Sequence, residues 1–216
     1  MALGPEARAR ARAGALCLVA GFVDAVSYTE LGAIFAANMT GNSVLFAIAA
    51  ARGDGARAAS YALTLVVFLA GAIVSALLRR MTGRPALALV AAAGLLLVAS
   101  AVPATRPEQL ALLACAMGLQ GGAITRFGAA NLTTVVVTGT MVRLADNLVE
   151  RVMPADRAAP APETARLDAF AWAAYIAGAA LAMGARHIMA QPLLIAVLAL
   201  VAIAAEVTQE AGRGKR

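Results

Sequence analysis

Asn38-Met39-Thr40-Gly41-Asn42 places two amides, a hydroxyl and a glycine inside an apolar run that is long enough to cross a membrane. The run extends from Ala13 to Ala51 and also carries Asp24 and Glu30. At about 1.5 Å per residue, one unbroken helix over these residues would be nearly twice as long as a membrane is thick. We therefore predict that the helix breaks at Thr40-Gly41-Asn42 and that a short half-helix follows the break.

The composition of the chain is typical of a membrane protein. Of its 216 residues, 62% are hydrophobic and 14% are charged, and its mean hydropathy is +0.80. A soluble domain is about half apolar and a quarter charged. The apolar runs are continuous, whereas the strands of a membrane β-barrel alternate polar and apolar residues over roughly ten positions. The sequence thus predicts an all-α, polytopic helical bundle in an inner membrane.

Basic residues cluster between the apolar runs and at the two ends of the chain. All but one of the 18 are arginine. If residues 1–12 are cytoplasmic, thirteen of the basic residues fall in predicted inner segments and four in predicted outer ones. This bias is the one that orients membrane proteins, and we do not interpret it as a nucleic-acid footprint. We expect both tails to be cytoplasmic and the first membrane helix to begin at residue 13 rather than a removable signal.

The second half of the chain repeats the plan of the first, with one long apolar run followed by two short ones. Fixed spacings of arginine and proline support a duplication better than the alanine and glycine matches do. Thr40-Gly41 also has a counterpart in Thr138-Gly139. The pairs that lie 107 residues apart are Phe68 with Tyr175, Gly71 with Gly178, Arg79 with Arg186, and Pro85 with Pro192.

We predict six transmembrane spans in two inverted three-span repeats with broken helices at the Thr-Gly motifs. The segment from Asn42 to Ala51 is too short to cross a membrane, which favours six spans over eight. Eight spans in parallel repeats remain an alternative, because the charge bias is nearly as good. The predicted organisation is a basic cytoplasmic tail at 1–12, repeats at 13–107 and 108–208, a cytoplasmic loop at 143–166 within the second repeat, and a cytoplasmic tail at 209–216.

Several short elements of the sequence resemble a known family. The first half contains Gly21-Phe22-Val23-Asp24-Ala25 and the Asn38–Asn42 stretch, and the second contains Gly118-Leu119-Gln120 and Val137-Thr138-Gly139-Thr140. Together they resemble the YoaK-like family of bacterial multi-pass membrane proteins over nearly the whole chain. The resemblance implies an integral inner-membrane protein whose biochemical role is largely uncharacterised. Many members carry asparagine after Gly-Leu-Gln, where this chain has Gly121.

Asp24 is the leading candidate for a functional residue. A carboxylate within a span costs about 2.5–3.5 kcal/mol on insertion scales unless it faces water or a bonding partner. Such residues commonly mark substrate pathways or proton relays. The alternative is a structural pair or a position near the membrane interface.

Neutral polar side chains beside glycines complete the candidate pathway. Broken helices expose backbone N–H and C=O groups, and their dipole ends can meet an ion or a polar solute. Alternatively, these residues hold helices together, since glycine, threonine and asparagine are common at helix contacts in membranes. The candidate substrate or ion pathway comprises Asp24, Asn38, Thr40, Gly41, Asn42, Gln120, Thr138, Gly139 and Thr140.

Glu30 and Arg126 occupy matching positions in the two repeats. Glu30 precedes Leu31-Gly32-Ala33, and Arg126 precedes Phe127-Gly128-Ala129. A pseudo-two-fold axis would bring such positions together, so we predict an ion pair between them in the core. The alternative is that each side chain extends separately to a membrane interface.

Motifs of enzymes are missing from the sequence. We find no phosphate-binding glycine loop, no metal-ligand cluster and no nucleophile with a histidine in plausible reach. We therefore expect no catalytic residue, no cofactor and no metal.

The favoured function is secondary transport or permeation of an unidentified small solute, with proton coupling through Asp24. A channel and a non-transporting structural or regulatory protein are the alternatives. The expected partners are the lipid bilayer and the solute, with no nucleic acid, and a homodimer is compatible with six small spans.

Overall fold

The computed structural model describes residues 4–102, 107–124, 126–127, 130–131 and 162–213. Over these residues the chain forms seven α-helices and one short antiparallel pair of strands. The helices are α1 (Pro5–Glu30), α2 (Met39–Ala51), α3 (Gly55–Thr82), α4 (Pro85–Ala101), α5 (Pro107–Ala123), α6 (Pro162–Ile188) and α7 (Leu193–Arg213). The strands are β1 (Arg126–Phe127) and β2 (Ala130–Asn131).

Four of the described helices are long and apolar enough to cross a membrane. They are α1, α3, α6 and α7, while α2 and α4 are apolar but shorter. Large apolar side chains stay exposed along α3, including Val66, Leu69 and Ile73. An exposed apolar surface of this kind suits contact with lipid rather than water. The helices therefore agree with the predicted membrane bundle at the level of its fold class.

Local signals in the sequence explain where the helices near the first break begin and end. The Asn38 side chain accepts a hydrogen bond from the Gly41 N–H at 3.2 Å, and Asp54 accepts one from the Arg57 N–H at 3.1 Å. Such caps satisfy N–H groups that have no partner within the helix. Gly83 ends α3 in a left-handed conformation with φ of 64°, and Pro85 stands in the first turn of α4.

The break in the first long apolar run lies earlier than we predicted. α1 ends at Glu30 and α2 begins at Met39, so Thr40-Gly41-Asn42 forms part of the first turn of a helix. The chain instead leaves the helix at Gly32 and Ala33, which have φ angles of 79° and 62°. Helix α2 has 13 residues and is about 20 Å long, which is shorter than a membrane is thick, as expected for a half-helix.

The second long run also departs from an uninterrupted helix. α5 ends at Ala123, and β1 and β2 follow within six residues of each other. Backbone pairing of Arg126 with Asn131 replaces the helix that we expected there. The Thr138-Gly139-Thr140 motif lies outside the described residues.

Helices α1 and α6 cross closely and run in the same direction. Away from the crossing point the contacts follow the chain in the same order on both helices, from Gly14 with Phe170 to Thr29 with Arg186. Helices α3 and α5 do the same. Their contacts are Gly71 with Cys115, Ala72 with Gly118, and Ser75 with Gly122.

Three segments of the chain meet at one end of the bundle, which we call the basic end. Arg8 Nε lies 3.2 Å from Glu210 Oε1, and Arg12 also pairs with Glu210, so the start of α1 lies beside the end of α7. A groove there is lined by residues 82–87 of the α3–α4 turn together with residues of α7 between 207 and 212. Helices α4 and α7 therefore run in opposite directions.

Candidate functional site

Asp24 lies on α1 with only 2% of its surface exposed, and both of its carboxylate oxygens are hydrogen bonded. Oδ1 accepts from the Ala37 N–H at 2.6 Å and more distantly from the Asn38 N–H at 3.4 Å. Oδ2 accepts from the Tyr175 hydroxyl at 2.6 Å. The carboxylate thus joins three parts of the chain, which are α1, α6 and the loop between α1 and α2.

That loop, residues 31–38, folds back along α1 into the bundle. Ala37 lies beside Asp24, which stands six residues before the end of α1, or about 9 Å along the helix. Ser27 Oγ donates to the Ile34 carbonyl at 2.8 Å, and the ring of Tyr28 stacks on Phe35 with 4.7 Å between centroids. Helix α2 therefore begins within the bundle, with the positive end of its dipole near the carboxylate.

Asn42 stabilises the returning loop from inside α2. Its side chain is fully buried, accepts from the Phe35 N–H at 3.1 Å and donates to the Phe35 carbonyl at 2.7 Å. Gly41 leaves room for this contact, since a Cβ there would lie 3.0 Å from Asn38 Nδ2 and 3.1 Å from the Phe35 ring. Asn38, Gly41 and Asn42 thus shape the break, while Thr40 is exposed on its surface.

Gln120 does not join this group. It is buried on α5 and donates from Nε2 to the Leu16 carbonyl of α1 at 2.8 Å, while its Oε1 has no hydrogen-bond partner among the described residues. Leu16 precedes Asp24 by eight residues, or about 12 Å along α1. Of the nine pathway candidates, the structure gathers Asp24, Asn38, Gly41 and Asn42 at one break. Thr138, Gly139 and Thr140 lie outside the described residues.

Glu30 is paired with Arg186, one of the arginines whose spacing indicated the repeat. Arg186 Nε lies 2.9 Å from Glu30 Oε1, and Arg186 Nη1 donates to Thr29 Oγ1 at 2.7 Å. These contacts join the ends of α1 and α6. Arg126 is described in its backbone alone, so the Glu30–Arg126 pair stays a prediction.

The crossing of α1 with α6 and the crossing of α3 with α5 use equivalent residues. A Cβ on Gly21 would lie 2.0 Å from the Tyr175 carbonyl oxygen, and one on Gly178 would lie 2.0 Å from that of Leu18. The second crossing repeats this geometry. A Cβ on Gly118 would lie 2.1 Å from the Phe68 carbonyl oxygen, and one on Gly71 would lie 2.4 Å from that of Cys115. The contact residues of α1 and α5 lie 97 positions apart, so that Leu18 corresponds to Cys115 and Gly21 to Gly118. Those of α3 and α6 lie 107 positions apart, so that Phe68 corresponds to Tyr175 and Gly71 to Gly178.

The polar pair at Asp24 occurs at only one of these two crossings. By the same offsets, Gly121 stands in the place of Asp24 and Phe68 in the place of Tyr175. Phe68 and Tyr175 are partners in the repeat, but Tyr175 is not among the site residues predicted from the sequence. The signal that could have identified it was the added hydroxyl at a position that is otherwise the same in both repeats.

The described residues contain no group of three His, Cys, Asp or Glu side chains placed to hold a metal ion. The chemistry available at the break is therefore that of one carboxylate, one phenol, amides and backbone N–H groups. Such groups can bind a cation, a proton or a polar solute.

Comparison with known proteins identifies the family. A family model described as "Protein of unknown function (DUF1275)" matches residues 13–205. The chain belongs to the DUF1275 family. It is 31% identical over 151 residues to the UPF0700 transmembrane protein YoaK of Bacillus subtilis (strain 168). That match covers 63% of this chain and 66% of the relative, just under two thirds of the relative's length.

No solved structure matches the chain. The resemblance to the YoaK-like membrane family is confirmed. Together with the apolar helices, this relationship makes the protein an integral membrane protein.

Proposed function

We propose that this protein is a secondary transporter that moves a small solute past the helix break beside Asp24. The observation that carries the proposal is the buried Asp24 carboxylate of α1, which lies beside the start of the half-helix α2 in a membrane protein. Ionisable residues buried among membrane helices are costly and commonly mark pathways. Secondary transporters bind substrates and coupling ions where helices are interrupted.

The architecture that goes with this function is six spans in two inverted repeats. Two observations support it. The crossing of α1 with α6 recurs residue by residue at α3 and α5. The start of α1, the α3–α4 turn and the end of α7 also share the basic end, which fits a helix α2 that returns to the end of the bundle where α1 stops. Under the eight-span alternative, the α3–α4 turn and the start of α1 would lie on opposite sides.

The orientation follows from the positive-inside rule. The basic end carries Arg8, Arg10 and Arg12 from α1 and Arg79, Arg80 and Arg84 from the α3–α4 turn. Clusters of this kind stay on the cytoplasmic side of bacterial inner membranes. We therefore place the basic end, with both tails, in the cytoplasm, and the Glu30–Arg186 pair toward the outside.

In this mechanism the solute or its coupling ion competes for the bonds that hold the loop. Asp24 holds Ala37 and Asn38 through their N–H groups, and Asn42 holds Phe35. A proton or cation that binds Asp24 weakens the first of these contacts, because it withdraws negative charge from Oδ1. The loop and α2 then move relative to α1, which changes access to the break.

The test is a flux measurement on the purified full-length chain in liposomes that contain a pH-sensitive dye. An inward proton gradient is imposed, and classes of small solutes are added one at a time. We expect at least one class to accelerate proton movement with the wild-type protein and not with Asp24→Asn. Solute flux that is unaffected by the gradient and does not saturate would favour a channel instead.

The second candidate is a structural or regulatory membrane protein that transports nothing. It is favoured by the completeness of the bonding at the break, since Asp24 and Asn42 are both satisfied by groups of the protein itself. Absence of flux for every class, with Asp24→Asn as stable as the wild type and without effect in cells, would support this function over transport.

A further inference from the structure

The hydroxyl of Tyr175 makes a contact that the helix crossing does not require. At the α1–α6 crossing it donates to Asp24 Oδ2 at 2.6 Å. At the equivalent α3–α5 crossing, phenylalanine and glycine occupy the two positions, yet the backbones approach as closely through Gly71 and Gly118. The second crossing therefore acts as an internal control, because it shows that this packing does not need a polar pair at these two positions.

The Tyr175 hydroxyl and the loop bond to different oxygens of the Asp24 carboxylate. With Oδ2 held from α6, Oδ1 is turned toward the N–H groups of Ala37 and Asn38. A carboxylate held on one side only could rotate about its Cβ–Cγ bond and lose this alignment, since that torsion is broad. The Tyr175 hydroxyl and the N–H groups of the loop thus hold the two oxygens of one carboxylate.

We propose that Tyr175 is a positioning residue of the Asp24 site, which it couples to α6 through its hydroxyl. Its bond to Oδ2 keeps Oδ1 on the loop, so a movement of α6 at this crossing is transmitted to residues 31–38 and the start of α2. That this coupling affects a solute pathway rests on the proposed function. The coupling of α6 to the loop does not.

Hydrogen–deuterium exchange, followed by mass spectrometry, tests the coupling without a solute. In Tyr175→Phe, we expect the amides of a peptide covering residues 31–42 to exchange about ten-fold faster, as the loss of one charge-assisted hydrogen bond would produce. Tyr28→Phe is the matched control. It removes a hydroxyl from the ring stacked on Phe35 above the same loop, and we expect exchange as in the wild type.

A double-mutant cycle separates positioning from a general loss of packing. In the Asp24→Asn background, Tyr175→Phe should add little to the exchange rate, because the carboxylate through which it acts is gone. An equal effect of Tyr175→Phe in both backgrounds, or wild-type exchange in the single variant, would overturn the proposal.

A second measurement keeps Tyr175 in place, in case its variants fail to fold. The infrared C–O stretch of tyrosine, isolated by ring deuteration, is compared between the wild-type and Asp24→Asn proteins. One of the three tyrosines should shift when its carboxylate acceptor becomes an amide, and no shift would contradict the contact. Coupling without solute flux would reject the proposed function alone, whereas flux without coupling would reject only the role of Tyr175.

Discussion

Asn42 shows how one amide can replace a turn of regular structure. Its side chain pairs with both the N–H and the carbonyl of Phe35, as a neighbouring strand would. Phe35 sits in a loop that has left the helix, so its backbone groups have no partner in a helix. An asparagine at this place offers one donor and one acceptor in the geometry that a peptide group needs.

We therefore predict that Asn42→Ala lowers the free energy of unfolding by about 2 kcal/mol, since it leaves two backbone groups of Phe35 unpaired in a partly buried position. In detergent this should lower the apparent melting temperature by roughly 5 °C. Ser43→Ala is the control, because that exposed hydroxyl bonds only to the Met39 carbonyl of its own helix. If Ser43→Ala lowered the melting temperature as much as Asn42→Ala, the loss could not be assigned to the bonds between Asn42 and Phe35.

Residue identity alone predicted a helix break near this stretch but not which residues form it. Glycine and threonine in an apolar run suggested a break, whereas the side chains of Asn38 and Asn42 instead start a helix there. Asparagine is a known helix-capping residue in sequence patterns. Here the Asn38 cap starts α2 even though Gly41, where the break was predicted, lies in its first turn. Asp24 was identified because a carboxylate is rare among membrane helices. Its partner Tyr175 lies 151 residues away, and no local pattern records such a contact.

At the scale of elements, glycine determines which helices cross closely. At the two equivalent crossings, each glycine faces a backbone carbonyl of the other helix. Small residues permit such approach in membranes, where packing and hydrogen bonds, rather than the exclusion of water, hold helices together. The sequence matches Gly71 with Gly178 as equivalent positions of the repeat, but the glycine contacts on α1 and α5 appear only when the helices are assembled.

We expect Gly→Ala substitutions to change the free energy of unfolding in opposite directions at two classes of site. At Gly21, Gly71, Gly118 or Gly178 a methyl group would meet backbone atoms, and the cost should be about 1–3 kcal/mol. Gly94 and Gly184 lie in helix interiors with no atom within 4 Å of an added Cβ. Alanine there should be neutral or stabilise by up to about 1 kcal/mol. Melting temperatures in detergent measure both classes, and equal losses at all six positions would contradict the assigned crossings.

At the scale of the whole molecule, the direction of each helix follows from a few contacts. Arg8 and Arg12 meet Glu210, and the α3–α4 turn borders the same end of α7. Arg186 meets Thr29 and Glu30 at the far end of α1. Charge counting could not distinguish six spans from eight, because both arrangements put most arginines inside. The contacts bear on the choice, because they show which turns lie at the same end of the bundle.

Six spans and eight spans make opposite predictions for the turns on either side of α3. In a background without Cys17 and Cys115, single cysteines are introduced as Gly55→Cys and Met81→Cys, with Gly212→Cys as the reference for the basic end. If α2 only returns to the outer side, a membrane-impermeant maleimide should label Gly55→Cys in intact cells. Met81→Cys and Gly212→Cys should react only after the membrane is opened, because both lie toward the basic end. If α2 crosses completely, the reactivities of Gly55→Cys and Met81→Cys exchange while Gly212→Cys stays protected, and the inverted repeat is wrong.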